Sequence, residues 1–266
     1  MPKERKDSRY NIRALDRAFR ILKLLKDGEP RSLKELSDSI DLSTSTTFRL
    51  LATLNYHQFV ERDDQTFKYR LGLSSLELAN SYYKSNNVRQ VALPEIEALR
   101  DDYKETVHLA MLDKMEIVYL DKLPGLYAIG LMSSRVGGRA PAHCTGVGKV
   151  LLAYEDPQVI SDYFKIHKLK RFTKATIVDL DIFMKQMEEI RSRNYGLDMG
   201  EHEDEVCCIA APIFDMRDCV IAAISVSGPK GRMKPFEQNQ ALIQRVCLAA
   251  ENISIRLGYN SRKASR

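Results

Sequence analysis

What the chain lacks narrows its class first. Nowhere in its 266 residues is there an apolar run near the roughly 18 residues that a membrane-spanning helix needs. There is no internal repeat and no low-complexity segment, which excludes a solenoid and a compositionally biased tail. The cysteines are few: Cys144, Cys207, Cys208, Cys219 and Cys247. An odd count without a CxxC pair argues against a disulfide framework and fits a reducing compartment. The opening MPKERKDSRY is charged from the start, so it contains no secretory apolar region and a cytoplasmic location is expected. GVGK at 146–149 is the nearest approach to a phosphate loop, and without GxxxxGK[ST] spacing it gives no reason to expect nucleotide binding.

What is present is ordinary in amount and uneven in placement. A hydrophobic share of 44% suits a globular protein, and 266 residues suggest two domains. Residues 1–90 hold 17 Lys and Arg against 12 Asp and Glu, whereas residues 91–266 hold 24 of each. The whole formal charge of +5 therefore sits in the first third, as in a polyanion-binding head on a neutral body. A solvated basic tail would give the same count.

Within the head, Ile12, Leu15, Phe19, Leu22 and Leu25 recur at helical spacing up to Asp27-Gly28. Ser32-Leu33-Lys34-Glu35 is a capping-box pattern opening a helix with Leu33, Leu36 and Ile40 on one face. Asp41-Leu42 turn the chain. Ser43 then caps a third helix, STSTTFRLLATL, whose buried face is expected to be Phe48, Leu51 and Leu54. Two short helices joined by a tight turn, the second opening on small polar side chains, form the helix-turn-helix pattern. Ser43, Ser45, Thr46 and Thr47 are short enough to let a backbone approach a DNA groove, and their hydroxyls donate or accept. Arg49, just beyond, reaches a phosphate or a guanine edge. Gln58–Glu61 and Thr66–Leu71 alternate as two strands around Asp63-Asp64-Gln65, a wing on which Lys68 and Arg70 share a face suited to phosphates.

Beyond the head, residues 74–84 predict a helix with Leu76, Ala79, Tyr82 and Tyr83 on its apolar side, broken at Asn86-Asn87. A second helix follows, with Pro94 expected to kink it or delay its start. The body alternates strands (ETVHLAML, EIVYLDKL, YAIGLMS, then YGLDMGE, VCCIAAPIFD, CVIAAISVSG) with helices near 146–155, 157–166 and 180–194, and closes on a long amphipathic helix. The fold class is α+β with a mostly antiparallel sheet.

Three polar groups interrupt apolar elements of the body. They are the segment Ala142–Lys149, with Gly146 and Val147 at a helix start; Asp198 with Glu201, His202 and Cys208; and Ser225 with Ser227, which share one strand face. Each has a plain structural reading, since free cysteine often packs as a small hydrophobe and serines are satisfied inside sheets. A cysteine enzyme would pair Cys208 or Cys144 with His202 or His143, and a metal site would use both histidines with a cysteine. Neither has signature spacing. A protein-interaction adaptor is a third alternative. No catalytic residue, metal or cofactor is expected.

The stretches LKELSDSIDLSTSTTFRLLATL, YRLG, RAPAHCTGVGKVLLA, NYGLDMGEHEDEVCCIAAPIFD and VIAAISVSGP resemble the IclR family of bacterial transcription regulators over nearly the full chain. The resemblance implies an N-terminal winged helix-turn-helix, a linker helix and a C-terminal effector-binding domain of GAF-like fold. It also implies dimers, or dimers of dimers, acting on palindromic double-stranded operators. It matches the family's pocket for a small carboxylate onto Gly146, Val147, Asp198, Cys208, Ser225 and Ser227. Val147 departs from the alanine or isoleucine common in relatives, so the ligand does not carry over. The tract ETVHLAMLDKMEIVYLDKL is most similar to the branch that answers to ketodeoxygluconate and related sugar acids. The organisation expected is an arm at 1–10, a DNA-binding domain at 11–72, a linker at 73–87, an effector domain at 88–260 and a tail at 261–266. The function expected is that of a repressor of a catabolic operon, controlled by a small organic acid.

Overall fold

The computed structural model describes residues 11–85, 87–126, 132–167, 169–233 and 239–260. The expected arm, the tail and most of the expected strand YAIGLMS fall outside them. The chain forms two compact units, Met1–Asn86 and Asn87–Arg266.

The first unit begins with α1 (Arg13–Leu24), which tightens into a 3-10 turn at Leu25–Asp27 and stops at Gly28 with φ 86°. Ser32 and Glu35 form the reciprocal capping box that opens α2 (Leu33–Ile40). Asp41 closes α2 at φ 56°, a left-handed position that a short polar side chain tolerates, and so sets the turn into α3 (Thr44–Tyr56). Ile21, Leu25, Leu36, Ile40, Leu51 and Leu54 meet beneath the three helices, with Val60 and Tyr69 of the wing strands β1 (Val60–Arg62) and β2 (Tyr69–Leu71).

The stripe buried by α3 differs from the expected one. Thr47, Leu51 and Leu54 are buried, whereas Phe48 is 50% exposed. The reason is angular: Thr47 lies one turn before Leu51, whereas Phe48 lies about 100° round the helix from Thr47. The helix α4 (Leu73–Ser85) forms as expected, yet Leu73, Leu76, Leu78 and Tyr82 stand exposed on it.

Among the described residues of the second unit, six strands run antiparallel in the order β5-β4-β3-β8-β7-β6. These are β3 (Thr106–Asp113), β4 (Glu116–Leu123), β5 (Arg139–Pro141), β6 (Gly196–Met199), β7 (Val206–Phe214) and β8 (Val220–Pro229). Helices cover both faces, so β7 and β8 read as nearly unbroken apolar runs. On one face Val107, Leu109, Ile209, Ile224 and Val226 pack against α5 (Asn87–Tyr103) and α10 (Gln240–Arg256). On the other, Ala110, Tyr119, Ala210 and Ala223 pack against α6 (Gly146–Leu152), α7 (Pro157–Ile166) and α8 (Leu180–Arg193). A single turn, α9 (Lys230–Met233), follows β8. Helix α5 passes through Pro94 without the expected delayed start. Strand β5 occupies a stretch that the sequence presents as loop; among the described residues its three positions pair with β4 alone.

Candidate functional site

Two regions carry chemistry, one in each unit. On α3, Ser43 is the N-cap and its Oγ accepts from Thr46 N at 3.3 Å, while it also contacts the hydroxyls of Ser45 and Thr46 at 3.1 and 2.9 Å. The cap thus fixes the direction of the whole hydroxyl cluster. Ser43, Thr44, Ser45, Phe48 and Arg49 are exposed and Thr46 is half-buried. Thr47 corrects the expectation: it is fully buried, and its hydroxyl donates to Ser43 O at 3.1 Å, so it supports the helix start and offers nothing to a partner. The outward set therefore loses Thr47 and gains Thr44 and Phe48. On the wing, Asp63 Oδ1 accepts from Gln65 N, Thr66 N and the Thr66 hydroxyl, which explains the two acidic residues at the tip as turn chemistry. Arg70, exposed, is paired across the strands with the half-buried Glu61, while Lys68 is exposed. A phosphate at Arg70 would compete with that carboxylate.

The second region lies on the sheet face beneath α6. Antiparallel register places Asp198, Cys208, Ser227 and Thr106 in one row across β6, β7, β8 and β3. The adjacent row on the same face is Gly196, Ala210, Ser225, His108 and Lys122. The small residues are what let α6 approach. A Cβ on Gly146 would stand 3.1 Å from Cys208 Cβ and 3.6 Å from those of Ala210 and Asp198, and a Cβ on Gly196 would meet Val150 at 2.7 Å. Thr145 precedes α6 but gives its hydroxyl to Pro141 O at 3.2 Å, so it does not cap the leading N–H groups of that helix. Val147 packs in the apolar cluster with Ala110, Tyr119 and Ala223, so its side chain is spent on the core.

Asp198 is 4% exposed, and its Oδ1 accepts from Gly200 N at 3.0 Å and Glu201 N at 2.8 Å. Its Oδ2 meets only the Cys208 thiol, at 3.8 Å, among the described contacts. Desolvation pushes its pKa up to about 7 against the opposing pull of Lys149. Lys149, wholly buried, pairs with Glu201, whose second oxygen has no hydrogen-bond partner among the described residues. Ser225 and Ser227 lie 3.5 Å apart, and Ser227 Oγ is 3.3 Å from His108 Nδ1. His108 Nε2 is 2.9 Å from Ser134 Oγ, and burial drives the ring down to about 3, so it is neutral. Cys208, on the strand next to the β6 edge, keeps accessible surface beside the buried Asp198, Ser225, Ser227 and His108. That combination gathers buried polar side chains on the sheet face that α6 covers.

The cysteine-enzyme reading has no support here. Burial pushes the thiols of Cys144 and Cys208 up, so neither supplies the thiolate that attacks. His143 is buried with Nε2 on Lys170 O at 3.1 Å, and His202 packs on Phe172. Among the described residues no group of His, Cys, Asp and Glu is placed to hold a metal, and no helix is long and apolar enough to cross a membrane.

Residues 80–255 match the C-terminal domain of the bacterial transcriptional regulator IclR, and residues 14–64 match the IclR helix-turn-helix domain. The chain belongs to the IclR family. It is 32% identical to the HTH-type transcriptional regulator KdgR of Escherichia coli over 250 residues, 94% of each chain. It is 34% identical to the transcriptional repressor AllR of Klebsiella pneumoniae over 248 residues, 92% of this chain and 90% of that one. Among solved structures, the Thermotoga maritima IclR superposes with a TM-score of 0.78 at 30% identity, covering 94% of this chain and 100% of that chain. An IclR homolog from Microbacterium hydrocarbonoxydans, complexed with 4-hydroxybenzoate, superposes at 0.83 with 27% identity over 92% of this chain and 98% of its own. This IclR-family chain is thus a DNA-binding transcriptional regulator with a helix-turn-helix head, and its relatives are regulators, not enzymes.

Sequence reasoning passed over His108, Tyr119 and the Lys149–Glu201 pair. One signal was legible. Thr106, His108 and Ala110 alternate with Val107 and Leu109 along ETVHLAML, so the polar side chains share a face. The ion pair had none, because its members lie 52 residues apart.

Proposed function

We propose that this regulator is a repressor that binds a palindromic operator as a homo-oligomer and is controlled by a small organic acid held beneath α6. Residues 11–72 act as the DNA-binding part, 73–87 as linker and 88–260 as effector domain. The observation that carries the effector reading is the row Asp198, Cys208, Ser227 with Ser225 and His108 beside it, all buried except the half-buried Cys208, on a face otherwise built for packing. Hydroxyl donors and a carboxyl whose pKa is near 7 suit a ligand carrying a carboxylate and a hydroxyl or keto oxygen. Keto acids and sugar acids have that chemistry, and the Microbacterium homolog complexed with 4-hydroxybenzoate supports an acid ligand.

On the DNA side, Ser45, Thr46 and Arg49 meet base edges and backbone. Phe48 offers its ring to a thymine methyl, and Lys68 and Arg70 hold phosphates. Ile12, Leu15 and Phe19 form an exposed stripe along the start of α1, with 68, 52 and 52% of their surfaces open, and this suits burial against a second copy.

The test is a thermal-shift screen against keto, sugar and aromatic acids. A ligand at about 100 times its Kd adds roughly 2.7 kcal/mol to the native state. The response should vanish in Asp198→Ala and Ser225→Ala while specific DNA binding survives. A response that persists in both variants would remove the ligand from this space.

A further inference from the structure

Segment 132–134 is anchored on both sides of the polar rows. Ser134 Oγ meets His108 Nε2 on β3, Lys122 Nζ of β4 donates to Ser134 O at 2.6 Å, and Ser133 donates from N and Oγ to Glu203, in the β6–β7 turn, at 3.2 and 2.7 Å. Strand β8 lies between β3 and β7, so the segment is tied on both sides of the strand that carries Ser225 and Ser227. His108 is the one side chain that touches both the segment and the serine pair among the described hydrogen bonds.

A neutral imidazole carries one N–H and one bare nitrogen, so the chain Ser227–His108–Ser134 has two polarities. If Nε2 holds the hydrogen, Nδ1 accepts from the Ser227 hydroxyl, and Ser227 turns only lone pairs to the ligand space. If Nδ1 holds it, Ser227 accepts from the ring and is free to donate to the ligand, while Nε2 accepts from Ser134. A carboxylate only accepts. We propose that His108 is a positioning residue that sets ligand polarity: an acceptor ligand at Ser225 and Ser227 selects the Nδ1–H tautomer, with Ser134 of the tied segment supplying the matching donor. This rests on the effector reading above and names how the same site tells a carboxylate from a hydroxyl donor. Burial keeps the ring neutral, as the two-tautomer account requires.

The experiment uses the full chain with 15N-labelled histidine, the His108→Asn variant to assign the signal, and formate, acetate and pyruvate as probes. Formate fits any space that places a carboxylate on the serines. The expected result is a ring that moves to a single Nδ1–H tautomer on saturation. His108→Leu should raise the probe Kd about tenfold, the scale of one hydrogen bond to a charged group. His108→Asn, whose amide stands near the Nδ1 position, should recover most of that loss, which a merely structural role would not produce. A bound ring in the Nε2–H form, or wild-type affinity in His108→Leu, overturns the proposal. If Ser225→Ala and Asp198→Ala abolish a probe's thermal shift while the ring stays silent, the His108 role fails and the effector site stands. If no probe shifts the melting temperature, or the shift survives both substitutions, the site and the role fall together.

Discussion

Asp198 and His108 should write opposite pH dependences into the stability of the second unit. Asp198 titrates at about 7 in the folded chain against 3.8 in the open one, so between those values the folded state holds the extra proton. Its contribution therefore falls as pH rises through that window and is constant above it. His108 titrates at about 3 folded against 6.5 open, so there the unfolded state holds the extra proton and stability rises with pH. Each pKa unit corresponds to about 1.4 kcal/mol, so each group spans roughly 4–5 kcal/mol, and the two slopes largely cancel between about pH 4 and 6.5. Asn retains an oxygen for Gly200 N and Glu201 N, so Asp198→Asn removes the titration while keeping those bonds. Relative to the parent chain, Asp198→Asn should gain stability as pH rises from about 4 to 7. His108→Asn should gain as pH falls through about 6.5. Urea unfolding across that range, followed by a probe in the second unit, measures both difference curves. Parallel curves for parent and Asp198→Asn would mean that Asp198 is solvated, and the buried polar site would go with it.

Lys149→Met leaves Glu201 charged, buried and unpaired, which should cost about 3–5 kcal/mol; adding Glu201→Gln should recover part of it in the same unfolding assay. Arg49→Ala should weaken operator binding and flatten its salt dependence while leaving effector affinity unchanged, as read by titration in increasing salt. Phe48→Ala should relax preference at a thymine position by about 1 kcal/mol, the scale of one methyl removed from water, measured by DNA selection with both proteins; unchanged base preference would take Phe48 off the interface. Glu61→Gln frees Arg70 and should tighten DNA binding without changing the selected sequence, whereas weaker binding would show that the cross-strand pair holds the wing in shape.

Local signals in the chain were enough for the parts that depend on local physics. Ser32 and Glu35 specify a capping box three residues apart, Ser43 caps α3, and nearly unbroken apolar runs mark β7 and β8, because each of these patterns is complete within a few residues. The charge surplus of the first third and the hydroxyl cluster pointed to the DNA head for the same reason. Tertiary structure decided what depends on which face another element covers. It turned Thr47 inward and left Phe48 outside, since rotating the buried stripe of α3 by one residue changes nothing in the composition of the segment. It paired the short strand Arg139–Pro141 with β4, although no periodicity can show in three residues. It also brought His108, Asp198 and Ser227, up to 119 residues apart, onto one face through the register of four strands. Register is a property of pairing between distant segments, so the polar site beneath α6 exists only once the sheet has formed.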